Sequence, residues 1–182
     1  MPDKILIEGL AIFTSDLFAP IVGNAEKTQP ENCREKSGEH IVEKYLKQSK
    51  KLVNKKLAFV GSVNENNAPN VKAMLVAKHD GLKTFYFASN NSAMRTEQYK
   101  KNNKACIYFN GGPVYKGLML EGIMEICNDE EHKKMIWQIG MGNVYKNGGI
   151  KDPDYCVLKF TALSGRHYYM LNTHTFIIDD NK

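Results

Sequence analysis

From residue 56 onward the chain reads as a series of short, strand-length segments separated by polar turns. The predicted strands cover 56–63, 70–79, 83–89, 105–110, 117–127, 155–163 and 166–171. Most connections between them are too short for the crossover of a dozen or more residues that parallel strands need. The sheet is therefore predicted to be largely antiparallel. Six or seven such strands, often apolar on both faces, favour a closed barrel.

The remaining segments predict three helices and a distinct leader. Helix 40–54 precedes the strands, helix 92–102 follows the third strand, and Asp129 caps a short helix after the fifth. Residues 1–38 combine an apolar patch with a polar stretch, which is typical of an extension and linker. The predicted organisation is therefore an extension and linker at 1–38, one domain at 39–175 and a C-terminal tail at 176–182.

The positive charge of the chain is concentrated in one helix. Segment 43–56 carries six lysines and one glutamate, which accounts for the whole net charge of +5. Only three of the 25 basic residues are arginines. Proteins that recognise specific nucleic-acid bases usually depend on the forked guanidinium group of arginine. The lysines therefore indicate a solvated helix face. Nucleic-acid binding through this helix is kept as a minor alternative, and no nucleic-acid partner is predicted.

Membrane, secreted and zinc-dependent classes are disfavoured by simple patterns. No run approaches the roughly 18 apolar residues of a membrane span. Glu8 and Asp16 interrupt the apolar leader, so it does not read as a signal peptide. The four cysteines are far apart and form no Cys-x-x-Cys pattern, so neither a disulfide framework nor a metal site is predicted. A cytoplasmic protein is expected.

One stretch, residues 70–95, combines groups that bind anions. Lys72 and Met74 share one face of the second strand because side chains alternate. The third strand ends in the polar corner 89–92, and Arg95 lies in the first turn of the helix that follows. A helix N-terminus, a serine hydroxyl and a guanidinium fork together predict a phosphate site. The chain has no GxGxxG or GxxxxGK[ST] loop, so a dinucleotide-binding or P-loop fold is not indicated.

Four short motifs follow one another along the chain in a characteristic order. They are Lys72-Ala73-Met74, Ser92-Ala93-Met94-Arg95, Leu120-Glu121-Gly122 and Asp152-Pro153-Asp154-Tyr155. In this order and spacing, the segment 41–170 resembles the pyridoxamine 5'-phosphate oxidase-like FMN-binding split-barrel superfamily. It is most similar to the general-stress and nitroimidazole-reductase-like branches.

The resemblance implies a mainly β fold, an antiparallel split barrel of six to seven strands with short helices, that binds FMN. It further implies a homodimer with the flavin at the subunit interface. The cofactor-binding residues that it implies are Lys72, Ala73, Met74, Leu75, Ser89, Asn91, Ser92 and Arg95. Lysine at position 72 replaces the commoner arginine and so keeps the charge without the bidentate fork.

The resemblance also implies a function. We expect an FMN-dependent oxidoreductase that passes electrons from NAD(P)H to a small acceptor such as a nitro-aromatic or a quinone. No residue is assigned as catalytic. The alternative is a non-catalytic, flavin-binding general stress protein, and deazaflavin or haem are alternative ligands within the same fold. Oxidation of pyridoxamine phosphate is not expected, since the sequence ends in THTFIIDDNK and lacks the Arg- and Trp-containing substrate motif of the true oxidases.

Overall fold

The computed structural model describes residues 43–112 and 115–178, which form one antiparallel sheet and three helices. The strands are β1 (Leu57–Val63), β2 (Pro69–Leu75), β3 (Lys78–Asp80), β4 (Thr84–Asn90), β5 (Lys104–Gly112), β6 (Lys116–Cys127), β7 (Tyr155–Tyr169) and β8 (Asn172–Ile177). The helices are α1 (43–52), α2 (Met94–Lys101) and α3 (Glu130–Ile136). Single 3-10 turns at Met141–Asn143 and Gly149–Lys151 lie in the loop between α3 and β7. None of the described helices is long and apolar enough to span a bilayer.

The order of the strands forces the sheet to curl. Hydrogen-bonded neighbours follow the path β2-β1-β5-β6-β7-β4-β3, and β8 pairs with β7 beside this path. The two strands at the ends of the path, β2 and β3, are consecutive in the chain and are joined by Val76 and Ala77 alone. Val76 donates its N–H to the Lys56 carbonyl (2.7 Å) and Ala77 donates to the Tyr86 carbonyl (2.9 Å). The curled antiparallel sheet confirms the predicted split barrel.

Two strand predictions need correction. The segment predicted as one strand at 70–79 is divided into β2 and β3 by the turn at Val76 and Ala77. The segments predicted as separate strands at 155–163 and 166–171 form the single strand β7, which ends at Tyr169, and a turn at 170–171 leads into β8, which was not predicted. Gly165 lies inside β7, paired with Leu120 on β6 and with Phe176 on β8, and a Cβ at this position would clash with the Phe176 ring.

The core lies inside the curled sheet. Strand β4 shows why the chain forms strands here, because its residues alternate strictly between buried and half-buried. Its fully buried rings, Phe85 and Phe87, belong to one apolar cluster with Phe109 and Phe160, and Leu52 of α1 also belongs to it. A smaller cluster around Tyr145, Tyr155 and Val157 lies beneath α3 and the following loop. This outer cluster explains why the first residues of β7 are buried on both faces.

A histidine pair lies where α1 covers the sheet. His167 on β7 is directly opposite His174 on β8, and the Tyr45 ring of α1 stacks on His174 with centroids 3.7 Å apart. His167 is fully buried, and neither of its ring nitrogens has a hydrogen-bond partner among the described residues. Burial, helped by the charges of Lys116 and His174, lowers the pKa of His167 below its ordinary value.

This burial predicts a loss of stability in acid. The folded state holds His167 neutral, whereas the unfolded chain takes up a proton near pH 6.5. The titration of His167 therefore leaves the free energy of unfolding unchanged above that pH. As the pH falls from 6.5 toward the lowered pKa of the folded state, the free energy of unfolding decreases. Urea unfolding at pH 8 and pH 5 should show a smaller drop for His167→Leu than for the wild type. The variant His79→Gln, at the β3–β4 hairpin, should keep the wild-type drop, and equal drops in all three proteins would contradict the assignment.

Candidate cofactor site

Strand β2 and helix α2 bring two cations to one place. β2 ends the strand path, so one of its edges is free of strand partners within the described sheet. On its pleat Lys72 is exposed while Met74 is buried. Arg95, in the first turn of α2, donates from Nη1 to the Sδ of Met74 at 2.9 Å. This contact holds the half-buried guanidinium beside β2, next to the lysine.

A cavity of about 530 Å³ opens between β2, α2 and the loop after α3. The predicted residues Lys72–Leu75 form one wall, and Ile136, Met141, Val144 and Tyr145 form part of the opposite wall. This volume falls within the range of about 300–1,000 Å³ that is usual for small-molecule and cofactor sites. Most of the lining is apolar.

The charged lining of this cavity has one sign. Lys56, Lys72 and Arg95 line it, and the described lining residues include no carboxylate. We call it the cationic cavity. A smaller cavity of about 190 Å³ on the α2 side also includes Lys72 and Arg95 in its lining. The two cations therefore lie where the two cavities meet, which is the natural position for an anionic group.

The corner between β4 and α2 is arranged differently from the prediction. Ser92 donates both its backbone N–H (2.7 Å) and its hydroxyl (2.9 Å) to the carboxylate of Asp154. Asn90 donates its side-chain amide to the same carboxylate at 2.7 Å, and the Asn91 N–H donates to the Asp154 carbonyl at 2.6 Å. Hydrogen bonds from Asn90 and Ser92 hold the pKa of the Asp154 carboxyl below its ordinary value. The donors predicted for a phosphate are thus bonded to a carboxylate of the chain itself.

The structure therefore divides the eight predicted site residues. Lys72, Ala73, Met74, Leu75 and Arg95 line the cationic cavity. The other three, Ser89, Asn91 and Ser92, are not among its lining residues, and their role as cofactor ligands stays a prediction. Helix α2 also begins later than predicted, at Met94, and its capping residue, Ala93, makes no side-chain hydrogen bond.

Sequence reasoning missed the second wall. Tyr145 follows a 3-10 turn and donates its buried hydroxyl to the Ser89 carbonyl at 3.1 Å. Burial raises the pKa of Tyr145 to about 12, so it is a neutral hydrogen-bond donor in the physiological range. Its ring packs against Tyr155 with centroids 4.4 Å apart. The available signal was the glycine-rich loop, in which Gly140 and Gly148 adopt positive φ, but nothing in the sequence showed which strand the loop faces.

Two aspartates connect the walls of the cavity. Asp152 is 3% exposed and accepts hydrogen bonds from the backbone N–H of Asn147 (3.0 Å) and of Asp154 (2.9 Å). Asp154 in turn holds the β4–α2 corner, from which Arg95 projects. The Asp152-Pro153-Asp154 segment thus fixes the loop on one side and the arginine-bearing helix on the other.

A second cavity, of about 600 Å³, lies against β1, β5 and β6. Its charged lining consists of Lys104 and Glu121, which balance each other, and the remainder includes Val71, Ile123 and Leu163. We call it the apolar cavity. It is the larger of the two, but its balanced charge does not select an anion, so the cationic cavity is the better candidate for a phosphate-bearing cofactor.

Comparison with known proteins gives one family and several solved structures. The model of the pyridoxamine 5'-phosphate oxidase family matches residues 42–169. A structure from Clostridium acetobutylicum, of a protein related to general stress protein 26 of B. subtilis in the pyridoxinephosphate oxidase family, is 46% identical. It covers 76% of this chain and 97% of its own length, with a TM-score of 0.68.

Two more distant structures share the fold. A pyridoxamine 5'-phosphate oxidase-related, FMN-binding protein from Nostoc punctiforme is 11% identical over 78% of this chain and 91% of its own, with a TM-score of 0.52. A protein from Bacteroides thetaiotaomicron, described as a candidate 5-nitroimidazole antibiotic resistance protein, is 20% identical over 65% of this chain and 80% of its own, with a TM-score of 0.54. A search of curated proteins gives no match.

Proposed function

Because the chain belongs to the pyridoxamine 5'-phosphate oxidase family, we propose that it binds FMN in the cationic cavity. With FMN it acts as an oxidoreductase that passes electrons from NAD(P)H to a small acceptor such as a nitro-aromatic or a quinone. Two proteins that share the fold support this proposal, one described as FMN-binding and one as a candidate nitroimidazole resistance protein. The observation that carries it is the pair Lys72 and Arg95 at the meeting point of two cavities.

The residues of the cationic cavity suit the two ends of FMN. Its phosphate carries negative charge, and Lys72 and Arg95 offer an ammonium and a guanidinium fork with no carboxylate among the described lining residues. Its ring system is planar and largely apolar, and Leu75, Ala88 and Met141 provide apolar surface. The free edge of β2 adds backbone donors and acceptors for the polar rim of the ring.

Each part of the chain has a separate task in this proposal. FMN, when bound, supplies the hydride and electron chemistry. Arg95 and Lys72 bind the phosphate, and the Met74 sulfur keeps the arginine beside β2. Tyr145, fixed through its hydroxyl to β4, keeps the far wall in place and excludes water from that side. Substrate specificity then depends on the half-open side of the cavity, where Val144 is 69% exposed.

The sharpest test of the site is Arg95→Ala. Loss of the charge-assisted hydrogen bonds removes about 1.5–3 kcal/mol, which raises the dissociation constant of FMN about 10- to 150-fold. Lys72→Ala should have a weaker effect because an ammonium offers a point charge without a fork. Riboflavin, which lacks the phosphate, should bind the wild type and both variants almost equally. Fluorescence titration of the apoprotein with each flavin measures these constants.

Two matched variants complete this test. Lys101→Ala removes a cation from the same helix that pairs with Glu65 at 2.9 Å, outside the cavity lining. Ser92→Ala removes a hydroxyl that is predicted to bind the phosphate and is bonded to Asp154 in the structure, so a selective loss of FMN affinity in this variant would assign Ser92 to the phosphate site. Lys101→Ala should keep the FMN affinity of the wild type within about threefold, a change of less than about 1 kcal/mol, because Lys101 does not line the cavity. Equal FMN affinity in the wild type and all variants, Arg95→Ala included, would show that the phosphate does not bind at Lys72 and Arg95.

Turnover is tested with the purified flavin-containing protein. We expect an oxidised-flavin absorbance spectrum and oxidation of NADH or NADPH that accelerates when a nitro-aromatic or quinone is added. Free FMN at equal concentration is the control. A yellow protein that does not exceed free FMN would instead support the non-catalytic, flavin-binding stress protein. A haem spectrum, or a colourless protein that fails to take up FMN, would refute the proposal.

We also propose that the protein is a homodimer through the apolar cavity. Val71 is 69% exposed and Leu163 is 49% exposed at this surface, and a second copy would remove this apolar area from water. Light scattering should give twice the chain mass for the wild type. Leu163→Glu, which places a charge beside Glu121, should give the monomer mass, whereas Leu171→Glu, at a position 94% exposed, should stay dimeric. A monomeric wild type that still holds flavin would contradict the proposal.

A further inference from the structure

Three potential metal ligands meet where β6 ends and α3 begins. Cys127 is the last residue of β6, Asp129 precedes α3, and His132 lies in its first turn. One ligand atom from each of these side chains lies within 4.8 Å of the other two. Cysteine and histidine are half-buried, and aspartate is exposed. No other group of three or more such side chains comes together in the part of the chain that the structure describes.

The local backbone explains why these side chains converge. Asp129 caps α3 by accepting a hydrogen bond from the His132 N–H at 2.9 Å. The same turn places Nδ1 of His132 2.8 Å from the Asp129 carboxylate. Cys127 is held by the pairing of β6 with β7, opposite Val157. The positions of the ligands are thus fixed by a strand end and a helix cap, with no long side chain to order.

The chemistry of this donor set is that of zinc and its close relatives. A thiolate, an imidazole and a carboxylate bind Zn²⁺ at about 2.0–2.3 Å, so donors around one tetrahedral ion are about 3.3–3.8 Å apart. The three atoms lie within 4.8 Å of one another, and two of them, His132 Nδ1 and the Asp129 carboxylate, are hydrogen-bonded at 2.8 Å. Metal binding would replace this hydrogen bond, and rotation of the exposed Asp129 side chain would open the distance to that of two ligands on one ion. Three protein ligands leave a fourth position for water.

We propose that Cys127, Asp129 and His132 form a binding site for Zn²⁺ or a similar divalent transition metal. Binding replaces the thiol S–H bond by a sulfur–metal bond and releases the proton to solvent, without oxidation or reduction. The ion joins the end of β6 to the first turn of α3. The last residue of α3, Ile136, lines the cationic cavity. The site shares no residue with that cavity, so it stands apart from the flavin proposal.

The sequence does not predict this metal site because it contains no motif rich in metal ligands. The sequence prediction of no metal rested on the missing pairs of nearby cysteines and histidines. Here one cysteine, one aspartate and one histidine are drawn from only six consecutive residues. The competing interpretation is that Asp129 and His132 form a helix cap and nothing more. Cys127 has no role in a helix cap, so its behaviour distinguishes a metal site from a cap alone.

Cobalt titration of the full-length, tag-free protein tests the proposal. The protein is first dialysed against a chelator, and Co²⁺ spectra are recorded as differences from a Zn²⁺-treated sample with the same flavin content. We expect one equivalent of Co²⁺ to give a thiolate-to-metal charge-transfer band and the visible bands of tetrahedral Co²⁺. Binding should tighten as the pH rises, because the thiol must lose its proton. A wild type without a thiolate band would overturn the proposal.

Variants identify the ligands. Cys127→Ser should abolish the charge-transfer band. Cys127→Ser and His132→Gln, each as a single variant, should lower the metal affinity by at least about 100-fold, because loss of a residue that only supports a ligand already costs up to about 100-fold. Cys106→Ser, which removes another half-buried thiol, should leave both unchanged. A band that survives in Cys127→Ser would refute the site. Because a variant can misfold, alkylation of the wild type gives an independent measure: Zn²⁺ should protect Cys127 from iodoacetamide, and unchanged labelling would also refute it.

Discussion

The two-residue connection between β2 and β3 is the constraint on which the rest of the structure depends. Because Val76 and Ala77 join the two ends of the strand path, the sheet has to curl until its first and last strands are neighbours. The curl encloses the phenylalanine-rich core on one side. On the other side it leaves an edge of β2 facing α2 and the loop after α3, which is where the cationic cavity forms. Fold and candidate site therefore have one geometric origin.

The predicted site residues that the structure brings together are those whose position follows from short-range rules. Alternation along a strand and the first turn of a helix place Lys72 and Arg95 without knowledge of the rest of the chain. The antiparallel sheet was predictable for a similar reason, since most connections are too short for parallel pairing, whereas the split barrel was implied by the family resemblance. The order of the motifs, which a single pattern does not supply, indicated the family.

What the sequence did not show depends on contacts between distant segments. Ser92 is bonded to Asp154, 62 positions away, and no local pattern reveals that an internal carboxylate occupies the donors of the β4–α2 corner. Tyr145 reaches Ser89 across 56 positions. Strand β8 is recognisable only from its pairing with the second half of β7.

The carboxylate of Asp154 also affects how a ligand would be received. Many anion sites consist of loop donors that acquire a fixed geometry only when the anion arrives, and the ordering of such a loop reduces the affinity. Here the chain supplies its own anion to the corner, so the donors of Ser92 and Asn90 are already in place. Arg95 therefore projects from a corner whose backbone and side chains are already hydrogen-bonded. An internal ion of this kind fixes the position of the helix that carries the arginine, whether or not a ligand is present.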